Sequence, residues 1–242
     1  MTIDRVVGAT CFVLAAAAIT AGVTLSASTD PPGGDTLGPV DDPATTREFL
    51  ALYNRAARGT WELDAEFERR QDGEVTLDSD WREVQQGAAN QLIAAFGGLT
   101  GSFEGRIIEC GVFGDETLCD AGAAPDPRAR LDRARELASD LVAPRSGDYT
   151  LARAPARTVA GEHAECFALH RRSDRATDAF GEESRFCFSD EAIPLLVVQR
   201  RGAVVDTRTA VSASTDVDRQ DFLELLTSQA AAAERSRVRS EL

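Results

Sequence analysis

The sequence predicts an α+β fold in which one antiparallel sheet packs against two helices. Two stretches, at Asp42-Pro43 and at Asp126-Pro127, place a helix-capping aspartate before a proline, and apolar residues then follow at helical spacing. Between and after these stretches, apolar and polar residues alternate as in strands with one face in water. Neither helix is placed as a crossover between parallel strands, so we expect the sheet to be antiparallel.

An apolar segment precedes the folded part. Residues 6–25 carry no charged side chain, and a run of about twenty such residues spans the core of a bilayer. We interpret it as a retained transmembrane helix with its N terminus inside the cell, because it exceeds the roughly 7 to 15 apolar residues of a signal peptide. The alternative is a cleaved signal peptide and a secreted protein, since Ser26-Ala27-Ser28 is similar to a small-residue cleavage site.

Composition divides the 242 residues into four parts. Residues 1–27 are the anchor or signal segment, and residues 28–44 form a tether rich in proline, glycine and aspartate. Residues 45–226 form the domain, which we place on the extracytoplasmic side of the cell membrane and whose roughly 180 residues suffice for one hydrophobic core. Residues 227–242 are predicted to be a polar tail.

The charge of the chain argues against two classes of partner. It has 40 acidic and 26 basic residues, for a net charge of -14. Nucleic acids and anionic lipid surfaces both attract proteins through basic side chains, so we expect neither to bind this chain by charge. Every basic residue is arginine, which is typical, with the bias toward alanine, aspartate and glycine, of bacteria with GC-rich genomes.

The first helix is expected to end near Gly59, and a hairpin follows it. Residues 61–68 alternate strictly, with apolar side chains on one face and carboxylates on the other. Leu77 and Trp81 continue the apolar face after a predicted three-residue turn over residues 71–73.

This predicted turn brings like charges together across the hairpin. Asp64 would lie opposite Asp80, and Glu66 opposite Asp78, which is mildly unfavourable. A calcium ion would offset the repulsion, but these residues lack the turn geometry of a calcium-binding loop, so we favour a solvated acidic face. The sequence predicts no metal site and no cofactor.

Further strands are predicted on both sides of the second helix, which extends from Asp126 to Pro144. The strands before this helix cover residues 89–96, 103–110 and 116–121. The strands after it cover residues 163–170, 184–188, 195–200 and 203–214.

Four cysteines lie beyond the apolar segment and are predicted to form two disulfides. Cys110 and Cys119 flank a turn-rich stretch between two strands, and Cys166 and Cys187 flank a polar loop. Four cysteines allow three connectivities, and these two pairs are the ones that proximity favours. Disulfides are typical of exported proteins, whereas a zinc site needs closely spaced ligands that this chain lacks.

Several segments resemble the LolA-like superfamily of lipoprotein carriers and mycobacterial-type lipid-binding lipoproteins, and especially its membrane-anchored members from high-GC bacteria. They are Arg58-Gly59-Thr60-Trp61, Gln91-Leu92-Ile93, Gly105-Arg106-Ile107-Ile108-Glu109-Cys110, Arg185-Phe186-Cys187-Phe188 and Ile193-Pro194-Leu195. The resemblance covers residues 45–225 and implies a curved antiparallel half-barrel that wraps around the two helices. The chain departs from the lipoproteins of the superfamily because no lipidation cysteine ends its apolar segment.

Such a half-barrel can enclose an apolar cavity lined by its inward side chains. The candidates are Trp61, Leu63, Phe67, Leu77, Trp81, Leu92, Phe167, Leu169, Phe186 and Phe188, and Phe96 belongs to the same inward set. The resemblance implies that the domain binds a lipid or an acylated protein there. The alternative is a sensor or scaffold domain that contacts a protein partner and whose cavity is vestigial.

No catalytic motif stands out in the sequence. The two histidines, His163 and His170, are an odd interval apart, which would place them on opposite faces of a strand. The chain has no lysine, no G-x-S-x-G sequence and no phosphate-binding loop. We therefore expect a domain without enzymatic activity.

Overall fold

The computed structural model describes residues 37–113, 116–124, 126–173 and 178–228. These residues form one antiparallel sheet of 11 strands and three helices, which confirms the predicted α+β class. The helices are α1 (Pro43–Ala56), α2 (Pro127–Leu141) and α3 (residues 219–228). The strands are β1 (Thr60–Gln71), β2 (Glu74–Gln86), β3 (Asn90–Ala95), β4 (Gly98–Phe103), β5 (Arg106–Phe113), β6 (Glu116–Ala123), β7 (Tyr149–Val159), β8 (Glu162–Arg171), β9 (Glu183–Phe188), β10 (Pro194–Arg201) and β11 (Val204–Ser214).

The sheet consists of two meanders that join in its middle. Its strand order is β6-β5-β4-β3-β2-β1-β11-β10-β9-β8-β7, so the two meanders meet where β1 pairs with β11. Three strands separate β7 from β11 in this order, yet Cα atoms of β7 and β11 lie within 8 Å of each other. Four strand spacings in a flat sheet would measure roughly 19 Å. The sheet is therefore strongly curved, as the resemblance implies.

Both predicted helix starts are confirmed. The Asp42 carboxylate accepts a hydrogen bond of 2.9 Å from the backbone N–H of Thr45, and Asp126 caps α2 by accepting one of 3.0 Å from Arg128. In each helix the residue after the cap is proline, whose missing N–H is not needed in the first turn.

The first hairpin has a shorter turn than the predicted one. Asp72 and Gly73 alone connect β1 to β2, and both have positive φ, 53° and 87°, as a two-residue type I′ turn requires. A two-residue turn without a bulge would put the apolar residues of β1 and β2 on opposite faces. A bulge at Thr76 shifts the register by one residue and returns Leu77 and Trp81 to the apolar face.

The predicted charge pairs across this hairpin are wrong for the same reason. Asp64 lies opposite Arg82, with 3.7 Å between Oδ1 and Nε, so the expected repulsion is replaced by an ion pair. Like charges do face each other two residues further along β1, where Glu66 lies opposite Asp80. Both of these side chains are exposed, which limits the cost of the repulsion.

Strand β4 lies where the sequence analysis predicts no strand. Phe96 and Gly97, with φ of 54° and 74°, turn the chain directly from β3 into β4. Within β4, a Cβ at Gly101 would lie 2.0 Å from the backbone oxygen of Gln91, so this close strand pairing requires glycine. Gly98 and Gly101 interrupt the alternation of apolar and polar residues, so the sequence pattern does not indicate this strand.

Both predicted disulfides are present. Cys110 and Cys119 are directly opposed on β5 and β6, and Cys166 and Cys187 are directly opposed on β8 and β9. Each disulfide therefore joins neighbouring antiparallel strands, as the sequence analysis predicts for both pairs.

Helix α3 is an addition to the two predicted helices. Its Phe222 stacks on Phe103 of β4 with 4.9 Å between ring centroids, and Leu225 joins the same cluster. Among the described residues, no helix is long and apolar enough to cross a membrane. The predicted membrane segment, residues 6–25, lies outside the described residues.

Candidate functional site

Nine of the ten candidate cavity residues lie on one face of the sheet. Directly opposed residues in antiparallel strands share a face. One such row runs Phe67, Arg208, Val197, Phe186, Phe167 across five strands. We call the face that carries this row the inner face, and period-two spacing and strand pairing add Trp61, Leu63, Leu77, Trp81, Leu169 and Phe188 to it.

Leu92 lies on the opposite, outer face. It is paired with Val84, three residues beyond Trp81 on β2, so the two side chains point away from that of Trp81. Leu92 is fully buried and packs in the cluster that contains Phe222 of α3. The structure therefore separates Leu92 from the other nine candidates.

The helices α1 and α2 cover one half of the inner face. Phe49 and Tyr53 of α1 pack against Phe167 and Phe186, with ring centroids 5.5 to 6.4 Å apart. Leu169 and Phe188 belong to the same cluster, and these four candidates are at most 2% exposed. This half of the inner face is a filled core.

Trp61 and Leu63 are also closed off from solvent. Trp61 is 2% exposed, and its Nε1 donates a hydrogen bond of 3.0 Å to the carbonyl of Ala56 at the end of α1. Leu63 has no exposed surface. Both side chains are part of the core that supports the remaining inner surface.

An apolar patch on β1–β3 remains partly open. Phe67, Trp81 and Phe96 form a ring cluster with centroids 4.8 to 6.0 Å apart, and half-buried side chains surround it. Among the described residues, no helix contributes to this cluster. We call it the open patch; its members are Phe67, Leu77, Trp81, Ile93, Ala95 and Phe96.

A buried ion pair lies beside the open patch. Nη1 of Arg208 donates to Oε2 of Glu83 at 2.6 Å, and the Arg208 guanidinium lies 5.4 Å from the centroid of the Trp81 ring. Glu83 also accepts a hydrogen bond of 2.6 Å from Nε2 of Gln91. Burial lowers the pKa of Arg208, and the charge and hydrogen bond of Glu83 oppose that shift.

Little in the sequence indicates this ion pair. Its only signal there is that Glu83 follows Trp81 by two residues, so a charge occupies an inward position of β2. Identifying Arg208 as its partner requires the pairing of β1 with β11, which joins segments far apart in the sequence.

A polar cavity of about 490 Å³ lies where strand ends meet. None of the ten candidates lines it; its walls are Glu162, His163, Asp190, Glu191, Ile193, Ala213, Ser214 and Thr215. Burial, followed by the charges of Glu191 and Asp190, raises the pKa of Glu162. An acidic cavity of this kind suits a basic group of a partner.

The two histidines are exposed and belong to none of the three apolar clusters of the described chain. His163 lies 3.4 Å from Glu165, and His170 lies 3.6 Å from Glu183, each on the protein surface. Within the described ranges, no three histidine, cysteine or acidic side chains are grouped to hold a metal ion.

No protein-family model matches the sequence, and no curated protein matches it. Among solved structures, the chain is similar to the MucA/MucB complex from Pseudomonas aeruginosa, with 16% identity and a TM-score of 0.41 over 74% of this chain and 60% of that chain. The chain spans less than two thirds of the MucB structures that it matches.

Two further solved structures are similar to this chain. One is a LolA superfamily protein from Nitrosomonas europaea, with 8% identity and a TM-score of 0.32 over 74% of this chain and 96% of that chain. The other is a putative outer membrane lipoprotein-sorting protein domain from Vibrio parahaemolyticus, with 8% identity and a TM-score of 0.30 over 75% of this chain and 98% of that chain. The likeness of this chain to these structures concerns the fold alone.

Proposed function

We propose that this chain is a membrane-tethered, non-enzymatic domain on the extracytoplasmic side, and that its open patch binds an apolar ligand. The ligand class is a lipid or the acyl chain of an acylated protein. One observation carries the proposal: on the inner face, the apolar surface of β1–β3 is half-buried, and no helix among the described residues packs on its ring cluster.

The chemistry of the open patch suits an acyl chain. Phe67 and Trp81 are 4% and 5% exposed, and they form a rigid floor. Leu77, Ile93 and Phe96 are half-buried above it, so a ligand that covers them removes apolar surface from water. Each methylene buried in this way contributes about 0.8 kcal/mol.

The open patch is narrow, which limits what it can hold. Three neighbouring strands span roughly 10 Å, so the patch has the width of one or two hydrocarbon chains. The filled half of the inner face, around Phe167 and Phe186, leaves no space for a longer cavity under α1. The proposed ligand therefore lies on the patch and is not enclosed by the whole half-barrel.

A blocking substitution tests the proposal. Ala95 lies opposite Trp81 within the patch, so Ala95→Trp fills the space that an acyl chain would occupy. In a titration of the full chain with a fluorescent polyene fatty acid, we expect Ala95→Trp to weaken binding by tenfold or more, on the order of 1.4 kcal/mol. Val211→Trp is the matched control, because Val211 is an exposed apolar residue outside the patch.

The readout must follow the ligand and not tryptophan emission. The Trp81 side chain is buried even without a ligand, with only 5% of its surface exposed, so binding would change its surroundings little. Native mass spectrometry of the purified full chain provides the second measurement, and we expect lipid to be bound. Absence of lipid together with equal fatty-acid binding by the Ala95→Trp and Val211→Trp chains would contradict the proposal.

A second candidate function is a sensor or scaffold domain that contacts a protein partner. The acidic cavity around Glu162, Asp190 and Glu191 favours it, since these carboxylates attract a basic side chain. A photo-cross-linker at the exposed rim residue Thr215 should then capture a protein in cells. Capture should fall in the Glu162→Gln, Glu191→Gln double variant and persist in a Glu66→Gln control, in which an exposed carboxylate far along the sheet is changed.

A further inference from the structure

The two edges of the sheet differ in how they are covered. At the β7 edge, the backbone N–H groups of Gly38 and Asp41 donate to the carbonyls of Arg153 and Leu151, both at 2.8 Å. At the other edge, β6 pairs with β5 on one side, and no further strand of the described chain pairs with it. The outer edge of β6 therefore presents backbone groups to solvent.

The register identifies which backbone groups of β6 point outward. Cys110 and Cys119 are directly opposed with 4.0 Å between Cα atoms, close to the separation of about 4.5 Å for a pair without mutual hydrogen bonds. The N–H and C=O groups of Cys119 therefore point away from β5, and so do those of Ala121 and Ala123 by the period of two. In agreement, the N–H of Ala121 donates to Oδ1 of its own neighbour Asp120 at 2.8 Å.

The second half of β6 lies outside the hydrophobic clusters. Residues 119–123 are all exposed, and none of them belongs to a hydrophobic cluster of the described chain. The Cys110–Cys119 disulfide nevertheless fixes the strand to β5. A strand that a covalent bond fixes to its neighbour is ordered before any partner binds, which lowers the entropic cost of binding.

Little in β6 blocks this edge. Charged residues, proline and bulges commonly protect natural edge strands; β6 has no lysine or proline, its pairing with β5 has no bulge, and its charged residues are Glu116 and Asp120. It ends in Ala121-Gly122-Ala123, whose small side chains leave the backbone accessible. An extended segment can therefore approach without a steric barrier.

The charges on this ribbon indicate the partner. Asp120 and Glu109 are exposed and directly opposed on β6 and β5, so two carboxylates repel each other across the pair. A basic side chain placed opposite Asp120 on an added strand would relieve this repulsion. We propose that the outer edge of β6 binds an extended segment of a partner protein that places an arginine or lysine opposite Asp120.

The geometry assigns a register to the added strand. The N–H and C=O groups of Asp120 point toward β5, so the residue opposite it on an antiparallel added strand directs its own backbone groups away from β6. The intervening residues of that strand pair with Cys119, Ala121 and Ala123. When they do, a carbonyl replaces the Asp120 carboxylate at the N–H of Ala121, and the carboxylate becomes free to bind the basic side chain.

Peptides with selective backbone methylation test this register. The probe is a capped twelve-residue peptide of alternating arginine and valine, and the protein is the full disulfide-bonded chain. N-methylation of the valines removes the N–H groups that face β6, and N-methylation of the arginines removes those that face away. We expect the valine-methylated peptide to bind more weakly than the arginine-methylated peptide by tenfold or more, since each lost hydrogen bond costs on the order of tenfold in affinity.

Variants of the protein provide a second test of the proposal. Ala121→Pro removes an N–H that points outward and that the ladder to β5 does not use, and proline is tolerated at such edge positions. We expect it to weaken binding of the arginine-methylated peptide on the order of tenfold, whereas Ala121→Val, which keeps the N–H, should bind as the unaltered chain does. Asp120→Asn should weaken binding and reduce its dependence on salt.

Three results would overturn the proposal. Equal binding of the two methylated peptides would show that charge alone attracts them. Equal binding of an alternating glutamate and valine peptide would remove the charge argument. Self-association of the chain that Ala121→Pro abolishes, measured by sedimentation, would make a second copy the occupant. The peptide comparison uses the unaltered chain, so it holds even if a variant fails to fold, and none of these arms involves the open patch.

Discussion

At the residue scale, the least expected feature is the charge pair inside the sheet. Glu83 has no exposed surface, and Arg208 is 6% exposed. A buried ion pair recovers its desolvation cost only when its remaining polar atoms are satisfied. Here Gln91 and the Trp81 indole also donate to Glu83, at 2.6 and 3.3 Å, so the carboxylate is well bonded, whereas the buried Nε of Arg208 has no hydrogen-bond partner among the described residues.

Breaking this pair should be costly, whereas replacing it should not. Glu83→Gln leaves Arg208 buried without a counter-charge, and we expect it to lower the free energy of unfolding by about 3 to 5 kcal/mol. The Glu83→Leu, Arg208→Met double variant should lie closer to the unaltered chain than the single variant does, since it removes both charges. Its remaining loss reflects the Gln91 and Trp81 donors, which lose their acceptor. Urea unfolding measures all three chains, with Glu66→Gln as an exposed control; equal losses for the single and double variants would contradict the argument.

The acidic cavity leads to a prediction about pH. Burial and the charges of Glu191 and Asp190 raise the pKa of Glu162 above its ordinary value of 4.5. A carboxyl with a raised folded-state pKa favours folding while it is protonated, and this contribution is lost as pH rises through that pKa. Glu162→Gln should therefore melt at a higher temperature than the unaltered chain at neutral pH, and the gap should close well below pH 4.5.

The measurement is a pair of melting curves across the acid range. A constant gap between Glu162→Gln and the unaltered chain would mean that Glu162 titrates alike in the folded and unfolded states. Glu191→Gln provides a further check, because removing this charge lowers the repulsion on Glu162 and should also raise the melting temperature at neutral pH.

At the element scale, the sequence predicts those features that depend only on residues next to each other in the chain. The capping aspartates and the prolines after them identify both helix starts, because a cap is set by residues next to each other in the chain. The residues around the turn after β1 do not by themselves determine its type. A two-residue turn with a bulge at Thr76 and a three-residue turn both keep Leu77 on the inner face.

Two other elements lack a local signal. Gly98 and Gly101 interrupt the alternation of β4, and only the neighbouring strands show why Gly101 is needed. Residues 91–96 include a continuous apolar run, so the sequence cannot decide that Leu92 faces outward while Ile93 faces inward. Its face follows from α3, which buries Leu92 from the other side.

Helix α3 should contribute strongly to stability through one aromatic residue. Phe222 has no exposed surface and stacks on Phe103. We expect Phe222→Ala to lower the free energy of unfolding by about 3 to 5 kcal/mol, the range for buried aromatic residues. Glu224→Ala, at an exposed position of the same helix, should change it by less than about 0.5 kcal/mol, and similar effects of both variants in urea would contradict this packing.

The two disulfides should differ in their access to reductant. Cys166 and Cys187 have no exposed surface, whereas Cys119 is exposed. Thiol–disulfide exchange requires contact with an attacking thiolate, so mild reductant should open Cys110–Cys119 first. Stepwise alkylation followed by peptide mapping measures the order, and simultaneous loss of both bonds would show that exposure does not control it.

At the scale of the whole molecule, the sheet is covered unevenly. Helices α1 and α2 fill one half of the inner face, α3 covers part of the outer face, and the open patch and the β6 edge remain accessible among the described residues. Packing thus supplies stability on one side of the molecule and leaves accessible surface on the other. This division fits the proposed function, in which the half of the sheet packed by helices supports the half that carries the open patch.

The domain is predicted to lie outside the cytoplasmic membrane and to stay attached to it. Two disulfides form readily only in an oxidising compartment, and residues 6–25 are long and apolar enough to remain in a bilayer. We expect the chain to sediment with membranes, to begin at its encoded N terminus, and to be cleaved by protease added outside the cytoplasmic membrane. A mature chain that begins near Thr29 and is released into the soluble fraction would show instead that the segment is a signal peptide and the domain is secreted.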